Sequence, residues 1–340
     1  MANITAQSDI YLRVTTSGAV IYIAVYLIIA ICCVIGNGLV ILSFVYYQTV
    51  RKIINNYFLF GLAVADFFTG LIAIPLAVIN RLVISEVTCR AFTRSVIFFP
   101  AYMFGAVSIC HLVAITVDRY IAITKPLRYP VIMTSRKACI ILVFLWCFGL
   151  SFGALPGMSF GGDPKQWVCE LQQYEAPTVA VHNIAASSLL PAILIILIFV
   201  YGRIFYIAFL KPNLARNSSS RNRSKESQSR ARTRATVTCA IVLGTFTICW
   251  LPQSYKYIFE TYFQITDLRS LLLIQTSCEM LAYCNSLINP IIYGWRSPHF
   301  RRAYKDILRY SFLSSKTNAR RNKEETIVSI SSMEMLDKPL

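Results

Sequence analysis

Charge is scarce in this chain. Only 14% of its 340 residues are Asp, Glu, Lys or Arg, against about 25% in soluble domains. Histidine occurs three times, and no two of the 11 cysteines are spaced as Cys-x-x-Cys. That shortage argues against a soluble metalloenzyme. Hydrophobic residues make up 56%. The apolar excess excludes a disordered chain, a collagen and a small disulfide scaffold.

What is present is seven long apolar runs. Residues 14–50, 95–117, 138–162, 176–202 and 235–255 contain no Asp, Glu, Lys or Arg. Residues 53–80 contain only Asp66, and 270–295 only Glu279. About 20 apolar residues in helix cross the hydrocarbon core of a bilayer. The runs are continuous rather than alternating, which excludes a β-barrel. They predict an all-α membrane protein with seven spans, numbered here 1 to 7. The first run is too long for a signal-peptide core and is read as span 1.

The basic residues orient the chain. With the N-terminus outside, the outer segments hold seven Lys and Arg and the inner segments twenty-six, while each side holds seven acids. The net charge of +17 is therefore a cytoplasmic face beside anionic lipid, and no nucleic-acid partner is expected. Asn3-Ile4-Thr5 is a glycosylation sequon on the outer side. Cys89 and Cys169 are the cysteines of the outer segments, where oxidation is permitted.

Four regions follow: an extracellular N-terminus over 1–18, a seven-transmembrane domain over 19–295, an amphipathic interfacial helix over 296–309, and a disordered cytoplasmic tail over 310–340. In the interfacial helix Phe300, Tyr304, Ile307 and Leu308 are expected on one face and Arg301, Arg302, Lys305 and Arg309 on the other. Residues 214–234 read as a flexible Ser/Arg-rich linker.

Polar residues inside spans need a reason, since burying them in a membrane is costly. Asp66, Asn37, Asn285, Ser286 and Asn289 suggest one shared site. It is either a cation site of hard oxygen ligands or a hydrogen-bonded packing cluster. Pro252 and Pro290 interrupt spans 6 and 7 and are candidate hinges.

The order and spacing of several motifs carry more than any one of them. Gly36-Asn37 lies in span 1, Leu62–Asp66 in span 2, Asp118-Arg119-Tyr120 after span 3, and Trp146 in span 4. Cys249–Pro252 lies in span 6, and Asn289-Pro290-Ile291-Ile292-Tyr293 in span 7. In these pieces the chain resembles the rhodopsin-like (class A) G-protein-coupled receptors, over roughly residues 19–309. DRYIAITKPLRYP and RSPHFRRAY look like the amine branch, and the stretch around Ala282–Ser286 is similar to melatonin-type receptors.

The resemblance implies roles. Asp66, Ser108, Asn285, Ser286 and Asn289 would form a sodium pocket, the one metal site expected, on Asp66. Arg119 would turn toward the G protein, and Asp118, Arg119 and Tyr120 would be activation switches. Ile109 with Phe246, Trp250 with Pro252, and Pro290 with Tyr293 would be activation switches. Cys89 and Cys169 would form the outer disulfide. Partners would be a heterotrimeric G protein, arrestin, receptor kinases, membrane lipid and an extracellular ligand. The location would be the plasma membrane, N-terminus outside. No enzymatic activity and no cofactor beyond allosteric Na⁺ are expected.

Departures from the family pattern matter as well. Cys89 stands farther from Arg119 than the family spacing, and Arg94 holds the usual place. Pro191 is displaced relative to Tyr201, predicting a bulge or offset in span 5. Arg232 stands where an acid often restrains Arg119. Ala101 replaces the amine-binding Asp. Tyr283 holds the place of the retinal lysine, so retinal is excluded. Candidate ligand contacts are Ala101, Tyr102, Gly105, Gln253, Tyr257, Glu279 and Tyr283. Glu279 would serve either as counter-ion for a ligand or as an internal partner of Lys256 or Arg81. A small molecule is the preferred ligand, with a basic peptide as the alternative. A transporter is disfavoured because no internal repeat is visible.

Overall fold

A computed structural model describes residues 16–82, 91–155, 177–207, 237–238, 240–256 and 268–310. Every regular element among them is helical. Span 1 is Thr16–Tyr46. Span 2 runs as Asn55–Phe68, a π-helical turn at Thr69–Ala73, and Ile74–Leu82. Span 3 is Ala91–Thr124, span 4 Ser135–Ala154 and span 5 Pro177–Phe205. Span 6 covers 240–256 and span 7 is Leu268–Arg296. A last helix follows over 298–310. Five of the spans are long and apolar enough to cross a membrane on the described residues alone.

Apolar side chains point outward as well as inward. Ile28, Ile31 and Ile35 of span 1 and Ile195, Ile196 and Phe199 of span 5 are exposed. In water such stripes would be unstable, whereas in lipid they meet a matching solvent. The interior instead collects the polar residues. Asn37, Asp66, Ser108, His111, Asn285, Ser286 and Asn289 are all buried.

Span 3 is the central post, packed against spans 2, 4 and 5. Small residues permit its closest approach. Gly149 and Gly153 stand four apart on one face of span 4, against Val107 and Met103, also four apart on span 3. A Cβ on Gly153 would stand 2.9 Å from the Met103 backbone nitrogen. Without a hydrophobic drive between helices in lipid, such backbone proximity is what association rests on.

Two sequence expectations are refined. Of the bulge or offset expected in span 5, the bulge is absent, since the span runs as α-helix through Pro191. The bulge lies in span 2, ahead of Pro75. On the last helix Phe300 and Ala303 are buried, and Tyr304 and Ile307 half-buried, while Leu308 is 55% exposed. The helix begins at Pro298 rather than 296. At about 100° per residue Ala303 lies about 60° from Phe300 on one side and Leu308 about 80° on the other, so Leu308 marks the edge of the apolar face.

Candidate functional site

The polar interior centres on Asp66. It lies on the buried face of span 2, one turn beyond Leu62. Ser108 of span 3 donates to Oδ1 at 3.2 Å and Ser286 of span 7 at 2.7 Å. Asn289 donates through Nδ2 to Oδ2 at 2.9 Å. Span 1 joins through Asn37, whose Nδ2 donates to the Ser286 carbonyl at 3.0 Å and to the Cys33 carbonyl at 3.0 Å.

Spans 2, 3 and 7 thus meet at one carboxylate, and span 1 is tied to the cluster through the Ser286 carbonyl. The amide oxygens of Asn285 and Asn289 are buried and accept no hydrogen bond among the described residues. A buried acceptor without a donor is costly. A hard cation next to a carboxylate is one group that satisfies such oxygens. The donor set therefore fits Na⁺: one carboxylate, hydroxyl oxygens from Ser108 and Ser286, and amide oxygens.

The C-terminal end of span 3 carries Asp118 and Arg119. Asp118 is fully buried, and Arg119 reaches its Oδ2 through a terminal nitrogen at 2.6 Å and through Nε at 3.1 Å. Tyr129, in the short helix Tyr129–Ile132 after span 3, donates to Oδ1 at 2.7 Å. Burial and the neighbouring Asp118 carboxylate push the Tyr129 hydroxyl well above its ordinary range, so it stays a donor. Tyr120, by contrast, is 39% exposed. Leu127, between Asp118 and Tyr129, is 93% exposed. The sequence motif contained Tyr129 and Leu127, but neither contact nor exposure was visible in it.

Aromatic residues line the same interior. Phe246 is buried in the main apolar cluster, with Ile109 packed on the same cluster. Its ring centroid is 5.7 Å from that of Trp250. A Cβ on Gly105 would stand 3.2 Å from the Trp250 ring, so spans 3 and 6 touch there. Pro252 is half-buried one turn-half further along span 6. Pro290 is buried, and Tyr293 stacks toward Phe300 at 5.9 Å.

Toward the end remote from Arg119, Gln253 is buried and its Oε1 accepts no hydrogen bond among the described residues. Glu279 is half-buried and accepts from Gln275 Nε2 at 2.8 Å. Tyr283 meets Tyr26 edge-on at 5.8 Å. Ala101 and Tyr102 are half-buried on span 3, where Tyr102 stacks with Phe98 at 6.0 Å. Tyr257, Cys89, Cys169, Asn3 and Arg232 lie outside the described residues.

One buried contact was not anticipated. His111 is fully buried, and its Nδ1 donates to the Val107 carbonyl at 2.7 Å. Its Nε2 lies against Gly61 of span 2. The imidazole occupies the space a larger residue at 61 would need. The signal was available, as a glycine and a histidine inside neighbouring spans, but nothing in sequence alone pairs them.

A model of the family described as 7 transmembrane receptor (rhodopsin family) matches residues 36–293. The chain belongs to this family. Rhodopsin-family receptors similar to it include the adenosine receptor A2a of Homo sapiens, 30% identical over 309 residues, covering 86% of this chain and 73% of that protein. The histamine H2 receptor of Rattus norvegicus is 31% identical over 307 residues, covering 84% and 80%. The octopamine receptor beta-2R of Chilo suppressalis is 28% identical over 327 residues, covering 85% and 80%. As a rhodopsin-family member the chain is a multi-pass membrane receptor that signals through G proteins in response to an extracellular ligand, and it is not an enzyme.

Proposed function

We propose that this receptor lies in the plasma membrane with its N-terminus outside, and that it answers a small cationic molecule bound among the outer halves of spans 3, 5, 6 and 7. The excess of Lys and Arg on the segments following spans 1, 3, 5 and 7 supports the orientation. The observation that carries the ligand class is the placement of acids. The described residues contain four carboxylates, on Asp66, Asp118, Glu279 and Asp306. Glu279 alone of these lies toward the end remote from Arg119. Ala101 offers no counter-charge on span 3. Glu279 and the buried Lys256 both hold internal interactions, so a cationic group would compete with these for Glu279 on span 7, a different wall from that used by an aspartate at position 101. Gln275 orients the carboxylate, and the buried Gln253 supplies an acceptor on span 6.

Signalling follows from differential affinity. A ligand that binds the open-inside state more tightly shifts the equilibrium toward it. Trp250 and Pro252 let span 6 move against Gly105, and Arg119 leaves Asp118 for the G protein. Exposed Leu127, in the segment that Tyr129 ties to Asp118, gives that partner an apolar anchor. Asp66, Ser108, Asn285, Ser286 and Asn289 would hold Na⁺ in the resting state and supply charge compensation there. Arrestin and receptor kinases would act on the same face.

Guanine-nucleotide exchange on a purified G protein, driven by a panel of cationic amines and short basic peptides, tests the reading. An active small amine whose potency falls at least tenfold in Glu279→Gln, with unchanged ligand-free exchange, is the expected result. Activity confined to peptides would favour the peptide alternative. Equal potency in the variant would remove Glu279 from the ligand site.

A further inference from the structure

Lys256 is a buried cation near the outer end of span 6, and the signalling reading gives it no task. Leu251 and Tyr255 on the same helix are exposed. At about 100° per residue, Lys256 stands about 60° round from the buried Gln253 and about 20° from the buried Cys249. It therefore turns into the protein with them and away from lipid. A lysine there is costly and calls for an anionic partner.

Three contacts fix its depth. Ser108 of span 3 and Ser286 of span 7 both donate to Asp66 Oδ1, so they share a level. Gly105, three residues outward of Ser108, stands against the Trp250 ring. At about 1.5 Å of rise per residue, Trp250 is about 4–5 Å outward of that level, and Lys256, six residues on, about 13–14 Å. Glu279, seven residues before Ser286, is about 10–11 Å outward by the same rise. Lys256 and Glu279 thus lie at nearly one depth on different spans. Gln253, with its buried Oε1 accepting no hydrogen bond among the described residues, lies one turn inward of Lys256.

Both charged residues hold internal interactions. A bare cation that takes Glu279 displaces such an interaction and then stands near a like charge. A buried charge stripped of its partner is strongly unfavourable. A ligand carrying both signs replaces what each residue gives up.

We propose that the ligand is a small zwitterion of the amino-acid type, its ammonium group meeting Glu279 and its carboxylate meeting Lys256. Gln253 Oε1 would accept a further N–H from the ammonium group. The proposal deepens the reading of Glu279 as the ligand's counter-ion and rests on it. Aromatic side chains suit the probe, because Trp250 and the stacked pair of Phe98 and Tyr102 offer aromatic surface.

Nucleotide exchange by the full-length receptor tests it, with phenylalanine, tyrosine, tryptophan and histidine each set beside the amine left when its carboxyl group is removed. In any pair that activates, the amino acid is expected to be at least about tenfold more potent than the amine, the factor a hydrogen bond to a charged group carries. Lys256→Met should cancel that advantage and raise the potency of the amine, since a like charge is gone. The raised amine response also shows that the variant folds. Lys256→Arg should keep the advantage. Amines that depend on Glu279, with amino acids no better, would overturn the zwitterion and leave the cation reading standing. An amino-acid advantage unchanged in Lys256→Met would overturn the role of Lys256. Silence from all of these probes would overturn the proposal, while the wider amine panel would still decide the cation reading.

Discussion

Asn37 donates through Nδ2 to the carbonyl oxygen of Ser286 at 3.0 Å, four residues before Pro290. Proline has no N–H, so the helix itself leaves that carbonyl without its donor. A side chain from span 1 fills the gap left by a proline in span 7. Asn37→Ala is expected to destabilise the receptor by about 1–3 kcal/mol, the cost of an unsatisfied buried acceptor. Pro290→Ala restores an N–H that can reach the same oxygen. Thermal unfolding of purified receptor should therefore show Asn37→Ala with Pro290→Ala losing less than the sum of the single losses. Strict additivity would show that the two residues act independently.

The oxygen cluster around Asp66 predicts a cation-specific effect on stability. At equal ionic strength, sodium chloride should raise the melting temperature above that in N-methylglucamine chloride. The gain amounts to about 1.4 kcal/mol when sodium is at roughly ten times its dissociation constant. Asp66→Asn should abolish the difference. A wild-type receptor indifferent to the exchange of cation would leave Asp66 as a packing residue only.

Gly61 and His111 are complementary in volume. A methyl group at 61 collides with His111 Nε2 and with Leu142. Gly61→Ala should cost about 1–3 kcal/mol by overpacking. His111→Ala in the same background should recover part of that loss. Melting curves of the three variants decide the matter, and a double variant less stable than Gly61→Ala would refute the pairing.

Tyr129 ties the segment carrying Leu127 to span 3 through Asp118. Tyr129→Phe should reduce ligand-stimulated nucleotide exchange severalfold at unchanged surface expression, and Leu127→Asp should reduce it further. The Tyr129 hydroxyl is raised above its ordinary value. Its contribution is therefore fully present below pH about 10, the ordinary tyrosine value, and lost only as pH rises past the raised one. Exchange measured between pH 6 and 9 should show no dependence that Tyr129→Phe removes.

The family resemblance implies that Arg232 takes the place of an acid that would restrain Arg119, and on that reading Asp118 and Tyr129 hold the resting state. Ligand-free exchange should be measurable, and Arg232→Glu should lower it by up to about fivefold, the equivalent of an ion pair of about 1 kcal/mol. Equal output at matched receptor number would assign the resting state to Asp118 and Tyr129 alone.

The spans were legible because a membrane imposes one crude requirement, a long uncharged run, and seven runs meet it. Asp66, Ser286 and Asn289 were legible as a group because buried polar residues in lipid must find one another. Their partners were less so. Asn37 could be seen as polar and mid-span, but the Ser286 carbonyl it serves belongs to the backbone. Leu308 lies about 80° round from Phe300 at about 100° per residue, at the edge of the apolar face, and stays 55% exposed. Tyr129 and Leu127 sit in a short turn whose geometry no periodicity encodes. The pairing of His111 with Gly61 arises from contact between separate spans, and one sequence carries no record of which spans touch.

The π-helical turn at Thr69–Ala73 has a consequence for tracing ancestry. Such a turn holds one residue more than an α-helical turn over the same rise. A chain one residue shorter between Thr69 and Ala73 would run as plain α-helix with both flanks of span 2 still in place. Asp66 would keep its neighbours and Pro75 its depth. A relative whose second helix is uninterrupted must therefore be aligned with a single-residue gap inside this turn. Any gapless alignment through it assigns every position from Ile74 to Leu82 to the wrong face.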